Sequence, residues 1–416
     1  MSDFADRPVG RPVGAASPSG LVLFYYHLAR EFPQEVDRLR EIFPEVNFAV
    51  AETEEQFQEL LPRAEVIVAP PQPATVLDTT LLATRGKDGA HGAADARGEA
   101  ADPSGGPSAG ASRLRAHVIP FAGINQVPLN WYRQHQVLLA GSHGNAGAVA
   151  ERAVALMYAA AGRVAEFDAD LRQGRWHRRR DEVQPFDYWR SLTGSRITVL
   201  GTGTIGCRVA ELVAPLVHSA GGERSGELVG LHRGGPNSGH GSAEVHSSHV
   251  VTAEAATADG RIRRHPEQLF DRLTTGVEEA LAAADVVFVT LPLTEATRGM
   301  LTQDLLAATT RATLVNVARA EIIPEEDCYR ALTEGTLGAA GIDVWYRNPH
   351  PFWKEGPDAL PSQYPFHQLR NVVMSPHAAS HSREGKLAQF TGALSHVEEY
   401  LKTGFMERAV DVVRGY

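Results

Sequence analysis

The chain has 416 residues, 43% hydrophobic and 22% charged, with 40 Lys and Arg against 50 Asp and Glu for a net charge of −10. That length exceeds one ordinary core and implies two domains with insertions. The acidic balance argues against a general binder of nucleic acid or anionic membrane, and no apolar run is long enough to span a bilayer.

Residues 1–20 are polar, with Pro and Gly and no apolar core of a signal peptide, and read as a disordered tail. Leu21–Tyr26 is a six-residue apolar run, a buried strand. Phe32–Ile42 carries helical spacing, and Asn47–Val50 reads as a second strand. Thr53-Glu-Glu-Gln56 is a capping box opening a helix to Leu61. Ala64–Ala69 is a third strand, closed by the rigid Pro70-Pro71-Gln72-Pro73 loop, and Thr75–Leu82 is helical. Residues 84–112 are Gly, Ala, Asp and Ser with almost no large apolar side chain. They cannot offset the entropy of ordering, and read as a disordered insertion. Ala116–Phe121 and Val137–Ala140 are further strands, with a helix at Leu129–His135 between them. Strands alternating with helices predict a parallel sheet covered on both faces.

From Gly147 an Ala-rich segment runs as one helix to Leu171, with too many apolar positions for a single narrow stripe, hence buried on more than one side. Arg175–Arg180 is a basic cluster beside Trp176, which the net charge makes a solvated loop. Arg196–Ala210 follows: a strand, then Gly201, Gly203 and Gly206 in G-x-G-x-x-G spacing, with Thr204 and Ile205 leading into a helix. Gly201 permits the sharp turn, and Gly203 lets a pyrophosphate approach the backbone. Gly206 allows close helix–strand packing, and the helix N-terminus offers free N–H groups to phosphate.

Leu228–Leu231 is the second strand of this unit, after a small insertion at Ser219–Gly226. Gly234–Gly260 is a second Gly- and Ser-rich loop; its His240, His246 and His249 are too loosely spaced for a metal site. Val277–Ala282 is a short helix. Val286–Thr290, Leu314–Val317, a segment within Thr336–Val344, and Val372–Ser375 are strands. Arg383–Lys402 is a final helix, expected to return to the first domain.

Six segments then appear in order: Val149-Ala-Glu151; the glycine motif; Asp285–Thr294 with Thr297-Arg-Gly299; Asn316-Val-Ala-Arg319; Gly338–Val344; and Asn371–His377. Together they resemble the D-isomer-specific 2-hydroxyacid dehydrogenases over roughly Leu21–Gly404, insertions excluded. The resemblance implies two doubly wound parallel-sheet domains. A flavodoxin-like catalytic domain would take 1–141 plus 378–416. A Rossmann nucleotide-binding domain would take 142–377 and carry the 234–260 insertion. It also implies a homodimer joined through the nucleotide domains and a cytoplasmic enzyme, which two cysteines unable to build a disulfide framework (Cys207 and Cys328) also favour.

The resemblance gives the residues roles. The reaction moves a hydride between nicotinamide and the carbon bearing a hydroxyl or keto oxygen of a small 2-hydroxy or 2-keto carboxylate. Arg319 would hold the carboxylate, its planar fork matching two oxygens. His377, after Pro376 at a strand end, would be the acid/base, as suits an imidazole. Ala122, Gly123 and Ile124 and the Pro70–Gln72 loop would offer backbone groups to substrate. Leu291, Pro292, Thr294 and Ala318 would line the cofactor channel, and Asp343 would face the nicotinamide amide.

Two departures stand out. The family's glutamate beside the histidine aligns with Asn348. An amide orients a ring without supplying charge, so reduction is expected to need lower pH than in glutamate-bearing relatives. Formate dehydrogenases resemble this chain in carrying an amide there. The end of the second nucleotide-unit strand reads Leu231-His232-Arg233-Gly234, with no carboxylate for a ribose diol. Arg233 can meet a 2′-phosphate, which favours NADP over NAD. The expected activity is a keto-acid reductase. The alternatives are a formate-dehydrogenase-like enzyme and a catalytically silent dinucleotide sensor.

Overall fold

The computed structural model describes residues 20–80, 113–124, 126–176, 188–218, 226–232, 265–347 and 359–412. The tail and the 84–112 and 234–260 insertions lie outside them. The chain divides into two compact units, Met1–Asn145 with Lys386–Tyr416, and Ala146–Gly385.

The first unit is built on strands β1 (Leu21–Phe24), β2 (Asn47–Val50), β3 (Ala64–Val68), β4 (Ala116–Ile119) and β5 (Leu138–Gly141). Their order is β2-β1-β3-β4-β5 and every pair is parallel, the flavodoxin-like order with its switch point between β1 and β3. Both faces are covered, so the strands read as continuous Val, Ile, Leu and Phe runs. Phe24, Leu28, Phe32, Phe390, Val397 and Tyr400 pack on one face. Phe57, Leu61, Ile67, Trp131 and Tyr132 pack on the other.

The second unit carries β6 (Arg196–Leu200), β7 (Glu227–Leu231), β8 (Arg272–Thr274), β9 (Val286–Val289), β10 (Thr313–Asn316), β11 (Ala339–Ile342) and β12 (Val372–Met374). The order is β12-β11-β10-β9-β6-β7-β8, all parallel. This is the Rossmann order extended by one strand, with the reversal between β6 and β9. Both units are therefore doubly wound.

Three expectations are corrected. The Ala-rich segment is two helices, Ala146–Ala161 and Val164–Arg172. The break is Arg163, left-handed at φ 52, whose guanidinium grips Glu166 at 2.6 and 2.9 Å and starts the new helix in another direction. The first helical stretch is also two pieces, His27–Glu31 and Pro33–Ile42, because Pro33 suits a first helical position. Strand β8 was not anticipated: three residues at a sheet edge, Arg-Leu-Thr, show no period. At Thr53 the cap forms, its hydroxyl accepting from the Gln56 N–H. The Gln56 side chain reaches the N–H of Glu52 instead of Thr53. Among the described residues no helix is long and apolar enough to cross a membrane, and no cluster of His, Cys, Asp or Glu has the makings of a metal site.

Candidate active site

The second unit places its motifs at the carboxyl ends of the strands, where open α/β sheets bind ligands. Gly201 leaves β6 at φ +106, a left-handed value that favours glycine. A Cβ on Gly206 would sit 1.9 Å from the Gly201 carbonyl oxygen, so only glycine lets the helix Thr204–Val217 start this close to the strand. A Cβ on Gly203 would meet nothing within 4 Å. Its bareness serves no contact inside the protein and leaves room for a ligand's approach. Thr290, which follows β9, donates its hydroxyl to the carbonyls of Leu200 at 3.1 Å and Gly201 at 2.7 Å and pins the turn. Strand, bare turn and a 14-residue helix fit a dinucleotide pyrophosphate.

The loop after β9 is folded on itself by Thr297, whose hydroxyl donates to the Pro292 carbonyl at 2.7 Å and accepts from the Thr294 N–H at 2.8 Å. Leu291 and Thr294 are half-buried and Pro292 is exposed. The same loop is tied to the segment past Arg319, the Gly299 N–H donating to the Glu321 carbonyl at 2.8 Å.

Arg319 lies three residues past β10. Asn316 shapes its turn: the Asn316 carboxamide accepts from the Ala318 N–H at 3.1 Å and donates to the Arg319 carbonyl at 3.1 Å. The guanidinium is half-buried and donates to the Ala318 carbonyl at 2.7 Å. Burial pulls its pKa below the ordinary arginine range, with the Glu321 charge opposing; the group remains a cation. Among the described residues no carboxylate forms an ion pair with it.

His377 lies three residues past β12 and is exposed. Its backbone is left-handed at φ 55, an unusual state for a residue with a side chain. Asp343, fully buried, holds it there. The Asp343 carbonyl accepts the His377 N–H at 2.8 Å, and its carboxylate accepts the Ala378 and Ala379 N–H groups at 2.9 Å each, and the Ser375 hydroxyl. The Trp345 indole donates to the Ser375 carbonyl at 2.9 Å and Arg152 to the Ser375 hydroxyl at 3.1 Å. Strained backbone over-determined by its surroundings is typical of working sites. Strands β10 and β12 both neighbour β11, so their ends stand about 10 Å apart.

The N–H of His232 donates to the Thr274 carbonyl at 2.8 Å. Arg233 and Asn348 lie outside the described residues. Ala122, Gly123 and Ile124 belong to the first unit, in the half-buried loop after β4. There His117 is sealed inside, Nδ1 2.6 Å from the Tyr132 hydroxyl and Nε2 3.0 Å from the Ala69 carbonyl. Gln389 donates to the Tyr26 hydroxyl at 3.0 Å and to the Pro120 carbonyl. Thr202, Thr290, Asn316 and Ser375 were not singled out in the sequence, although an Asn just past a strand is a turn signal.

Fold and turn define a Rossmann-type dinucleotide-binding unit. Residues 154–219 and 251–379 match the family model "D-isomer specific 2-hydroxyacid dehydrogenase, NAD binding domain". By this domain the chain belongs to the D-isomer-specific 2-hydroxyacid dehydrogenase family. A glyoxylate reductase of Aeropyrum pernix is 30% identical over 242 residues, 58% of this chain and 59% of that protein; the chain thus matches little more than half the length of such relatives. The solved glyoxylate reductase of Paecilomyes thermophila superposes with a TM-score of 0.65 at 16% identity, covering 95% of this chain and 99% of that one. An acyclic imino acid reductase solved with NADPH and D-Arg superposes at 0.61 with 17% identity, covering 94% and 99%. These two likenesses establish the fold.

Proposed function

We propose that the protein is an NAD(P)-dependent oxidoreductase that reduces a small 2-keto acid to its 2-hydroxy acid. A single observation carries this: a half-buried guanidinium with no carboxylate partner among the described residues, two strands from a strained, exposed histidine. A cation drawn partly out of water calls for an anion, and a planar fork suits a carboxylate. The bound nicotinamide would supply or take the hydride. Arg319 holds the substrate carboxylate and draws charge toward the keto oxygen. His377 delivers the proton to that oxygen or removes it. Asp343 acts by fixing the turn that aims His377, and Asn348 by orienting its ring. The glycine turn cradles phosphates. Leu291, Pro292, Thr294 and Ala318 flank the cofactor, and Ala122–Ile124 offer backbone groups to the substrate.

The lack of a carboxylate in Leu231-His232-Arg233-Gly234 supports NADP over NAD. Tyr158, Val164, Leu171, Trp176, Tyr188 and Trp189 are exposed on the second unit, Tyr188 at 71%. So much apolar surface supports a homodimer joined through that unit, which sedimentation analysis checks. The free Cys207 and Cys328 support a cytoplasmic enzyme.

The test is turnover of NADPH and NADH with glyoxylate, hydroxypyruvate, pyruvate and formate. Reduction of a keto acid is expected, and Arg319→Gln should lower kcat/KM roughly a thousandfold while leaving the melting temperature unchanged. Tight dinucleotide binding without turnover on any of them would overturn the enzymatic reading. Turnover of formate alone would replace it.

A further inference from the structure

The end of β7 carries an imidazole where a carboxylate commonly meets the ribose. β6 and β7 are parallel neighbours with Leu200 opposite Leu231, and the Gly201 N–H donates to the Leu231 carbonyl at 3.2 Å. His232 therefore stands beside the glycine turn. Its Nδ1 lies 2.7 Å from the hydroxyl of Thr202, between Gly201 and Gly203. A hydroxyl both donates and accepts, so this contact survives whether the ring is neutral or charged. Among the described residues Nε2 has no partner, and the neighbouring Gly203 faces open space.

The charges around the ring are few. From β8, Thr274 accepts the His232 N–H at its carbonyl, and its hydroxyl donates to Glu279. Glu279 is paired with Arg272, which also binds Glu227 at 3.0 Å. From the glycine turn only Thr202 meets the ring, and among the described residues no carboxylate pairs with it.

We propose that His232 reads the ribose 2′ position through its protonation state. The imidazolium pairs with a 2′-phosphate and the neutral ring with a 2′-hydroxyl, so the preference for NADPH over NADH grows as pH falls. Imidazole is the side chain whose ordinary titration lies in that range. A monoester phosphate keeps most of its second charge above pH 6.5, so the ring makes the difference. This rests on the dinucleotide reading above.

The test is calorimetric binding of NADPH and NADH to the full chain at pH 6.5, 7.5 and 8.5, with no turnover involved. The NADPH-to-NADH affinity ratio of the wild type should rise on the order of fivefold from pH 8.5 to 6.5. His232→Gln, which keeps a hydrogen-bonding group but cannot charge, should show a flat ratio. His232→Asp should favour NADH throughout. A flat wild-type ratio, or an unchanged slope in His232→Gln, overturns the inference while leaving the dinucleotide reading intact. Failure of both dinucleotides to bind at any pH overturns both.

Discussion

The two units hold the carboxyl edges of their sheets by different chemistry. In the first, neutral groups do it: His117 ties the end of β3 to Tyr132, and the Gln389 amide ties Tyr26 to Pro120. In the second, shape and a buried anion do it: glycines at 201 and 206 leave space for backbone, and the Asp343 carboxylate gathers three donors around His377. A neutral brace depends on its proton. A glycine brace depends on volume alone.

The sharpest way to break the volume brace is Gly206→Ala. Its Cβ would strike the Gly201 carbonyl, so helix and strand must part. A loss of at least about 3 kcal/mol is expected in denaturant melts, together with loss of dinucleotide binding.

The proton brace is tested by acid. Burial lowers the His117 pKa to about 4, against about 6.5 for a free imidazole. The unfolded chain therefore binds this proton more readily than the folded one. The contribution to stability is complete above pH 6.5 and is lost as pH falls toward 4, amounting to about 3 kcal/mol. His117→Gln should flatten that stretch of the stability profile. An unchanged profile would place the acid sensitivity elsewhere.

Asp343→Asn keeps the shape but leaves at least one donor of the His377 turn facing an amide N–H, a cost of about 2 kcal/mol. Activity should fall further than stability, because the turn aims the proposed acid/base. The smallest structural effect belongs to Gly203→Ala. With open space at its Cβ, stability should hold within about 0.5 kcal/mol, while dinucleotide affinity drops. Equal losses at Gly203 and Gly206 would erase the distinction between a packing glycine and a ligand-facing one.

Much of this was legible from local pattern. The apolar runs at Leu21, Ala64, Ala116, Arg196, Val286 and Val372 all became strands, because buried parallel strands are apolar on both faces. Their ends were not: β1 stops at Phe24, where Tyr25 and Tyr26 turn away. The glycine turn was readable because its spacing is local. What holds His377 was not, since Ser375, Ala378 and Ala379 meet Asp343 only through the pairing of β11 with β12. His117 reads as one polar residue in an apolar strand, and only the fold brings Tyr132 and Ala69 to its two nitrogens. The break at Arg163 had a faint signal, Gly162 followed by an arginine three residues ahead of Glu166.

The helix Arg383–Thr403 supplies Phe390, Val397 and Tyr400 to the core of the first unit, with Met406 just beyond it. A ribosome makes that segment only after all of the second unit has emerged. The first sheet must then wait with one apolar face uncovered while its neighbour, complete in sequence, is free to fold. The usual order of N-terminal part first is reversed for this chain, and the waiting face is where a nascent-chain chaperone would find its grip.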